Sequence, residues 1–239
     1  MENQELNYQD FTAEVQKESS EAFPILMRKV YVWMTFALVI TGMTAYYVAT
    51  SQTLMTAILT NRVLFWGLII AELVLVVGIS AAINRLSLLA ATILFILYSF
   101  INGATMSIIF LYYEFSSIAT VFFISAGTFA AMAVIGYTTK KDLSTMGKIM
   151  YMGLIGLVIA TVVNLFLKSP AMTMILSYIG VIVFVGLTAW DSQKIKKMLL
   201  EAPDVDEATQ KVALLGALTL YLDFINLFLY LLRIFGKRK

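Results

Sequence analysis

Three acidic residues lie inside long apolar stretches of the sequence: Glu72, Asp191 and Asp223. An ionisable side chain at the centre of a membrane span costs at least about 2.5–3.5 kcal/mol on insertion scales, so each of these acids is a candidate for function. Cysteine and histidine are absent from the chain. Without thiols and imidazoles, any proton or cation chemistry falls to carboxylates, tyrosines, lysines or the chain termini.

Asp223 belongs to a polar stripe on the last apolar stretch. Thr219, Asp223, Asn226 and Tyr230 follow one another at steps of four, three and four residues, which places them on one helical face. A polar stripe on an otherwise apolar helix must face protein or water. The stripe therefore marks either a functional surface or a hydrogen-bonded packing surface in which the aspartate is permanently protonated.

Asp191 shares a helical face with Thr188 and is followed by three lysines, Lys194, Lys196 and Lys197. An acid at the C-terminal end of a helix is unfavourably placed in the helix dipole, so helix stability gives it no reason to be there. Asp191 is either a functional partner for another acid or a solvated carboxylate at the membrane boundary, paired with the nearby lysines.

Glu72 and Arg85 follow the same predicted helix and lie roughly 20 Å apart by helical rise. Glu72 is either a third member of a polar centre or a protonated side chain bonded to a neighbouring helix, for example through Asn102 or Asn164. Arg85 lies near the predicted cytoplasmic mouth of the bundle, where it either anchors the helix or pairs with one of the acids.

Two carboxylates that lie close together inside a membrane have two chemical uses. They cannot both ionise comfortably, so the pair holds a shared proton and can sense pH without histidine. When deprotonated, their oxygens suit a hard cation such as Ca²⁺, although two or three carboxylates are too few for a tight closed site. Weak binding suits a conduction pathway, because an ion that enters must also leave.

The elements that position these acids are membrane-spanning helices. Hydrophobic residues make up 60% of the 239 residues and charged residues 13%, against roughly 25% charged residues in soluble domains. A hydrocarbon core about 30 Å thick requires about 20 apolar residues. Seven such runs occur, at residues 30–50, 63–83, 86–111, 116–137, 147–167, 171–190 and 212–232.

The sequence therefore predicts an all-α membrane protein, a seven-helix transmembrane bundle that forms a single domain over residues 30–239. The connections between runs are short, apart from residues 192–211. Residues 1–29 form an acidic polar arm without the pattern of a cleavable signal.

The distribution of lysine and arginine predicts a cytoplasmic N-terminus. In that orientation eleven basic residues lie on the cytoplasmic side, and only Arg62 and Lys168 lie in loops on the other side. The basic tail at residues 233–239 opposes this orientation if the seventh run crosses the membrane fully. We favour full crossing over a re-entrant segment, and multi-pass insertion in a bacterial inner membrane.

Two segments of the sequence resemble the signature of the transmembrane Bax-inhibitor-motif family. They are residues 218–233, LTLYLDFINLFLYLLR, and residues 188–195, TAWDSQKI. Together with the span count, the polar arm and Glu72, the resemblance extends over nearly the whole chain and favours a bacterial member. It implies a bundle in which six helices surround the C-terminal one, and a pH-dependent Ca²⁺ leak across the membrane.

The resemblance also implies roles for individual residues. The family's paired aspartates fall on Asp191 and Asp223, as a pH-sensing and gating pair that binds Ca²⁺ weakly and transiently. The family's arginine falls on or close to Arg85, which would bond to the pair and help to hold the seventh helix closed. Because Asp223 lies deeper in its span than Asp191, pairing requires the sixth and seventh helices to be offset. Ca²⁺ is then the transported ion, protons are the regulators, and no cofactor is expected.

Two other functions would use the same features. Some bacterial relatives in the family are associated with a membrane-anchored ATP-dependent protease, for which the acidic arm would serve as a handle. Aspartates on the sixth and seventh helices are also the layout of intramembrane aspartyl proteases, but the Gly-x-Gly-Asp motif is absent at Asp223. The chain also lacks a phosphate-binding loop, a His-Glu-x-x-His motif and a basic nucleic-acid patch. We therefore expect a protein that is not an enzyme and does not bind nucleic acid.

Overall fold

The computed structural model describes residues 2–239, with side chains from residue 21 onward. Within these residues the chain is helical and contains no β-strand. Seven helices in this part of the chain are long and apolar enough to cross a membrane, which confirms the predicted number of spans. The predicted acidic arm covers residues 1–29, and the side chains of residues 1–20 lie outside the described part.

The helices follow one another with short connections. They are α1 (Glu2–Thr50), α2 (Gln52–Thr60), α3 (Arg62–Ala82), α4 (Leu88–Met106), α5 (Ile109–Tyr112), α6 (Phe115–Thr138), α7 (Ser144–Leu167), α8 (Pro170–Leu200) and α9 (Glu207–Phe235). The spans are α1 from Glu21 onward, α3, α4 together with α5, α6, α7, α8 and α9. Helix α2 is a short helix between the first two spans that the sequence analysis did not predict.

Polar side chains in the connections determine where several helices begin. Ser87 and Ser169 accept hydrogen bonds from backbone N–H groups in the first turns of α4 and α8, and Pro170 occupies the first turn of α8. Asp206 accepts a hydrogen bond from the Thr209 N–H at 2.7 Å, and this bond lowers the pKa of the Asp206 carboxyl below its usual value. Such caps satisfy N–H groups that have no partner within the helix.

Helix α8 is longer than predicted, and this corrects the position of Asp191. The sequence predicts a long connection over residues 192–211, but α8 continues to Leu200 and only residues 201–206 connect it to α9. Lysines end the apolar run but are good helix formers, so the membrane boundary and the helix end do not coincide. Asp191 lies nine residues before Leu200 (200 − 191 = 9), too far from the last turn for the helix dipole to oppose it.

Helix α9 is the most buried of the spans. It packs mainly against α8, α1, α6 and α4, whereas α3 packs mainly on α4 and α7 on α8. The expectation that six helices surround the C-terminal one is therefore not confirmed, because four of the other six spans make its main contacts.

Contacts at its two ends show that α9 extends from one side of the bundle to the other. At one end, the Glu207 carboxylate accepts a hydrogen bond from the Leu88 N–H at 2.9 Å. At the other end, the Glu114 N–H donates to the Lys237 carbonyl at 3.0 Å. Leu88 and Glu114 lie at opposite ends of the third span, so α9 crosses the same distance as that span. This is the extent that the full crossing favoured in the sequence analysis requires.

We refer to the two ends of the bundle by one residue each. The Arg85 end carries the connections 83–87, 139–143 and 201–206, and the Lys168 end carries residues 113–114, 168–169 and the C-terminus. At the Arg85 end, the buried Gln193 side chain donates to the Lys141 carbonyl and accepts from the Leu143 N–H, both at 2.8 Å. These bonds fasten α8 to the connection between α6 and α7.

The close approach of α6 to α8 depends on Gly136. A Cβ atom added at Gly136 would overlap the backbone of Ala189 on α8, whereas one added at Gly127 on the same helix would meet nothing within 4 Å. Small residues let membrane helices approach closely where no hydrophobic effect drives them together. The contact holds the part of α8 that carries Asp191 against α6.

We expect Gly136→Ala to destabilise the protein, although alanine has the higher helix propensity. Overpacking of this kind costs about 1–3 kcal/mol, which corresponds to a fall of several degrees in Tm. Gly127→Ala is the matched control and should leave Tm unchanged or slightly higher. Thermal unfolding of the purified protein in detergent measures both variants, and equal Tm values for the two would contradict this account of the α6–α8 contact.

Candidate functional site

The carboxyl groups of Asp191 on α8 and Asp223 on α9 lie side by side inside the bundle. Both residues are buried, with 7% and 5% of their surface exposed, and their carboxyl groups are close enough to interact with each other. Helices α8 and α9 share the most extensive contact between any two of the described helices, and this contact brings the two residues together. Two buried carboxyl groups this close cannot both ionise comfortably, so the pair is a place where one proton can be held.

The pair lines a cavity of about 540 Å³ that is bounded by α7, α8 and α9. The four members of the predicted polar stripe, Thr219, Asp223, Asn226 and Tyr230, also line it and therefore share one face of α9. Apolar residues from α7 and α8 form most of the remaining wall, including Leu154, Leu157, Val158, Val162, Phe184 and Leu187. The polar stripe thus faces a cavity within the bundle.

One carboxyl oxygen of Asp223 is buried and has no hydrogen-bond partner among the described residues. Its polar neighbours on α9 are occupied elsewhere: the Thr219 hydroxyl donates to the Leu215 carbonyl at 3.0 Å, and the Asn226 amide donates to the Leu222 carbonyl at 2.8 Å. A buried acceptor without a partner is costly. The oxygen therefore lacks the partner that a buried acceptor needs, and a proton on the carboxyl group would remove part of that cost.

Lys194 is the cationic side chain that interacts with the pair. Arg85 does not lie near the pair. Lys194 lines the same cavity and interacts with the charge of Asp191, and its ammonium group lies 5.1 Å from the centroid of the Trp190 ring. Arg85 is exposed in the connection 83–87 and forms no ion pair within residues 21–239. The reason is that α3, which leads into this connection, packs on α4 and not on α8.

Tyr230 lies between this cavity and a second one at the Lys168 end. The second cavity has a volume of about 860 Å³, and three basic residues, Lys168, Arg233 and Arg238, line it. Thr161 lines both cavities, and its side chain lies close enough to Tyr230 to interact with the hydroxyl group.

Helix α8 holds the Tyr230 ring in place. The ring stacks on Phe184 with centroids 5.8 Å apart and an interplanar angle of 26°. A Cβ atom added at Gly180 would lie only 2.6 Å from the ring, so the glycine makes room for it. Because Thr161 borders both cavities and Tyr230 lines the aspartate cavity beside it, we infer that the ring closes the passage between them.

Glu72 belongs to a separate polar network. Its carboxylate accepts a hydrogen bond from the Thr105 hydroxyl and a longer one, at 3.4 Å, from the Asn102 amide. The Tyr221 hydroxyl donates to Asn102 at 3.0 Å and lies 2.7 Å from the Thr41 hydroxyl. Of the arrangements that the sequence leaves open, the structure has Glu72 bonded to a neighbouring helix through Asn102, away from the aspartate pair.

The sequence analysis did not identify two parts of this site. Lys194 was grouped with the boundary lysines, although its position three residues after Asp191 on a helix was a usable signal. The contact between Thr161 and Tyr230 had no signal, because it depends on which face α7 turns towards α9. Isolated threonines in a span do not reveal that face.

The chain contains no cysteine, so one introduced thiol reports access to the aspartate cavity without background. We expect the thiol of Asn226→Cys to be protected from a membrane-impermeant reagent added at the Lys168 end, because Tyr230 closes the passage. Adding Tyr230→Ala should raise the labelling rate several-fold, towards that of the exposed control Lys168→Cys. Equally fast labelling of the Asn226→Cys and Lys168→Cys single variants would show that Tyr230 is not a barrier.

Comparison with known proteins assigns the chain to a family. The family model described as "Inhibitor of apoptosis-promoting Bax1" matches residues 24–239. The inner membrane protein YbhL of Escherichia coli is 53% identical over 214 residues, which are 89% of this chain and 92% of the relative. A protein of Rickettsia prowazekii is 42% identical over 230 residues, which are 95% of this chain and 96% of the relative. On this evidence the chain is a multi-pass integral membrane protein that belongs to the Bax inhibitor family.

Proposed function

We propose that this protein is a pH-sensitive Ca²⁺ leak channel, in which passive conduction across the bilayer is gated by the pair Asp191 and Asp223. The observation that carries the proposal is the buried carboxyl pair in a cavity, with one carboxyl oxygen left without a partner among the described residues. A carboxyl pair is costly to keep inside a membrane, and proton and cation transfer are the chemistry that it supports.

The composition of the cavity suits a hard cation that stays only briefly. Ca²⁺ takes about six to eight oxygen ligands, and the two aspartates offer four carboxyl oxygens between them. Within residues 21–239 no group of three or more acidic side chains could hold a metal ion. A Ca²⁺ ion at the pair would therefore keep part of its water shell, bind weakly and leave again, as conduction requires.

Protonation of the pair provides the gate. With one proton between them, the two carboxyl groups bind each other and hold α9 against α8. When the protonation of the pair changes, this bond is lost and the oxygens become available to a cation. Lys194, which lines the same cavity, compensates part of the negative charge and takes the role that the family resemblance implies for Arg85.

Two features of the pathway favour slow conduction. The Tyr230 ring separates the aspartate cavity from the Lys168 end and must move before an ion can pass. Beyond it, the basic lining formed by Lys168, Arg233 and Arg238 lowers the local concentration of cations. Both features suit a leak rather than a channel of high conductance.

Ca²⁺ flux into liposomes that contain the purified protein tests the proposal. We expect flux above that of empty liposomes and a dependence on pH over about pH 6–8, because one of two close buried carboxyl groups keeps its proton into the neutral range. The Asp191→Asn, Asp223→Asn double variant should lose the pH response and at least about tenfold in flux, because interactions with a charged group contribute about 1.5–3 kcal/mol. Asparagine keeps the size of the side chain and removes its charge and its titratable proton.

Asp142→Asn is the matched control. Asp142 is an exposed acid at the Arg85 end, bonded to Lys197 at 2.7 Å. The Lys197 ammonium and the Ser144 hydroxyl hold the pKa of Asp142 at about 2, so this residue stays ionised throughout the range and contributes no pH response. An unchanged flux and pH response in the double aspartate variant would refute gating by the pair. No flux from the wild-type protein at any pH would refute the leak itself.

A further inference from the structure

A groove between α1 and α6 is not used by the aspartate site. Helix α1 packs mainly on α4 and α9, and α6 packs mainly on α8 and α9, so the two helices stand apart over α9. The space between them is a cavity of about 970 Å³ whose floor includes Phe129 and Phe224. The small side chains of Ala126, Ala130 and Ala133 on α6 leave room for an occupant.

The groove runs along the membrane normal for most of a span. On α1 its lining extends from Pro24 to Met43, nineteen residues (43 − 24 = 19) or roughly 28 Å of helix. Half of a hydrocarbon core is roughly 15 Å thick, so the groove is longer than one leaflet is deep. Met43 and Val39 on its rim are exposed, with 69% and 49% of their surfaces free. An extended acyl chain has the length and the polarity to fill it.

At the Arg85 end of the bundle the groove is polar, and contacts hold its side chains in place. Arg28 lines this end together with Tyr31 and Tyr137. The Lys196 ammonium donates to the Tyr137 carbonyl at 2.7 Å and lies 4.9 Å from the centroid of the Tyr137 ring. The Phe23 ring stacks on Tyr137 with an interplanar angle of 13° and bridges α1 to α6. Aromatic rings and cationic side chains therefore surround this end of the groove.

Arg28 is the group that distinguishes this groove from an ordinary lipid-facing surface. It is exposed and forms no ion pair within residues 21–239. A guanidinium group binds a phosphate in a bidentate manner, and basic pockets between membrane helices bind anionic headgroups. Tyrosines at headgroup level are typical of the membrane interface.

We propose that this groove binds one anionic phospholipid from the leaflet at the Arg85 end. The headgroup phosphate binds Arg28, and one acyl chain follows α1 and α6 down to Phe224. Because Phe224 is the neighbour of Asp223 on α9, the bound lipid supports the helix that carries the aspartate pair. The binding site stands on its own geometry and does not require that the protein conducts Ca²⁺.

Native mass spectrometry of the full-length protein in mild detergent tests the site. With phosphatidylglycerol and phosphatidylcholine added in equal amounts, we expect one phosphatidylglycerol molecule to be retained in preference. Arg28→Gln should reduce this retention about tenfold, because a charged hydrogen bond to phosphate is lost. Arg62→Gln, at the first residue of α3, is the control and should keep the lipid.

A second pair of variants tests the groove itself and guards against misfolding. Ala130→Trp fills the groove and should displace the lipid, whereas Ala131→Trp places the same side chain on the exposed neighbouring position, outside the groove lining. Circular dichroism and Tm confirm that both variants are folded. Equal retention of the two lipids, or retention that Arg28→Gln leaves unchanged, would overturn the proposal. A dimer that Ala130→Trp dissociates would also overturn it, because a second copy of the chain would then be the occupant.

Discussion

A carboxyl group inside a membrane needs a polar partner, and the arrangement of this bundle follows from that constraint. Asp223 lies near the middle of α9 with only 5% of its surface exposed. Hydrocarbon at this depth provides no hydrogen-bond partner for a carboxyl group. Asp191 on α8 supplies the partner. The partnership depends on close helix packing, because α8 reaches this position only where Gly136 and Gly147 let it approach α6 and α7. Packing of small residues and pairing of acids therefore support each other.

Helix α9 connects two polar centres that lie on opposite sides of it. Tyr221 and Asp223 are two residues apart, or about 200° around the helix, and so point to opposite sides of it. Asp223 faces Asp191, while Tyr221 binds Asn102 and through it the network of Glu72. A shift of α9 that follows a change at the aspartates therefore also acts on the hydrogen bonds of the Glu72 network.

Much of this fold could be predicted from the sequence, because the membrane sets the length of each span and the cost of each charge. The number of spans and the stripe that contains Asp223 follow from those two rules, whereas the pairing with Asp191 was implied by the family resemblance. The end of α8 could not be predicted, since hydropathy marks the membrane boundary and not the end of a helix. The position of Arg85 and the ring of Tyr230 depend on which helices are neighbours, and a single sequence carries little information on that. The groove at Arg28 is a space between helices, and no residue pattern in the sequence predicts it.

Infrared difference spectroscopy of the protein in lipid tests the central claim most directly, because it observes the proton on the aspartate pair. The account requires a protonated carboxyl band in the wild-type protein that Asp223→Asn removes. This band must change over the same pH interval in which Ca²⁺ flux changes. A band that is absent, that persists in Asp223→Asn, or that titrates outside the interval of the flux would contradict gating by a shared proton.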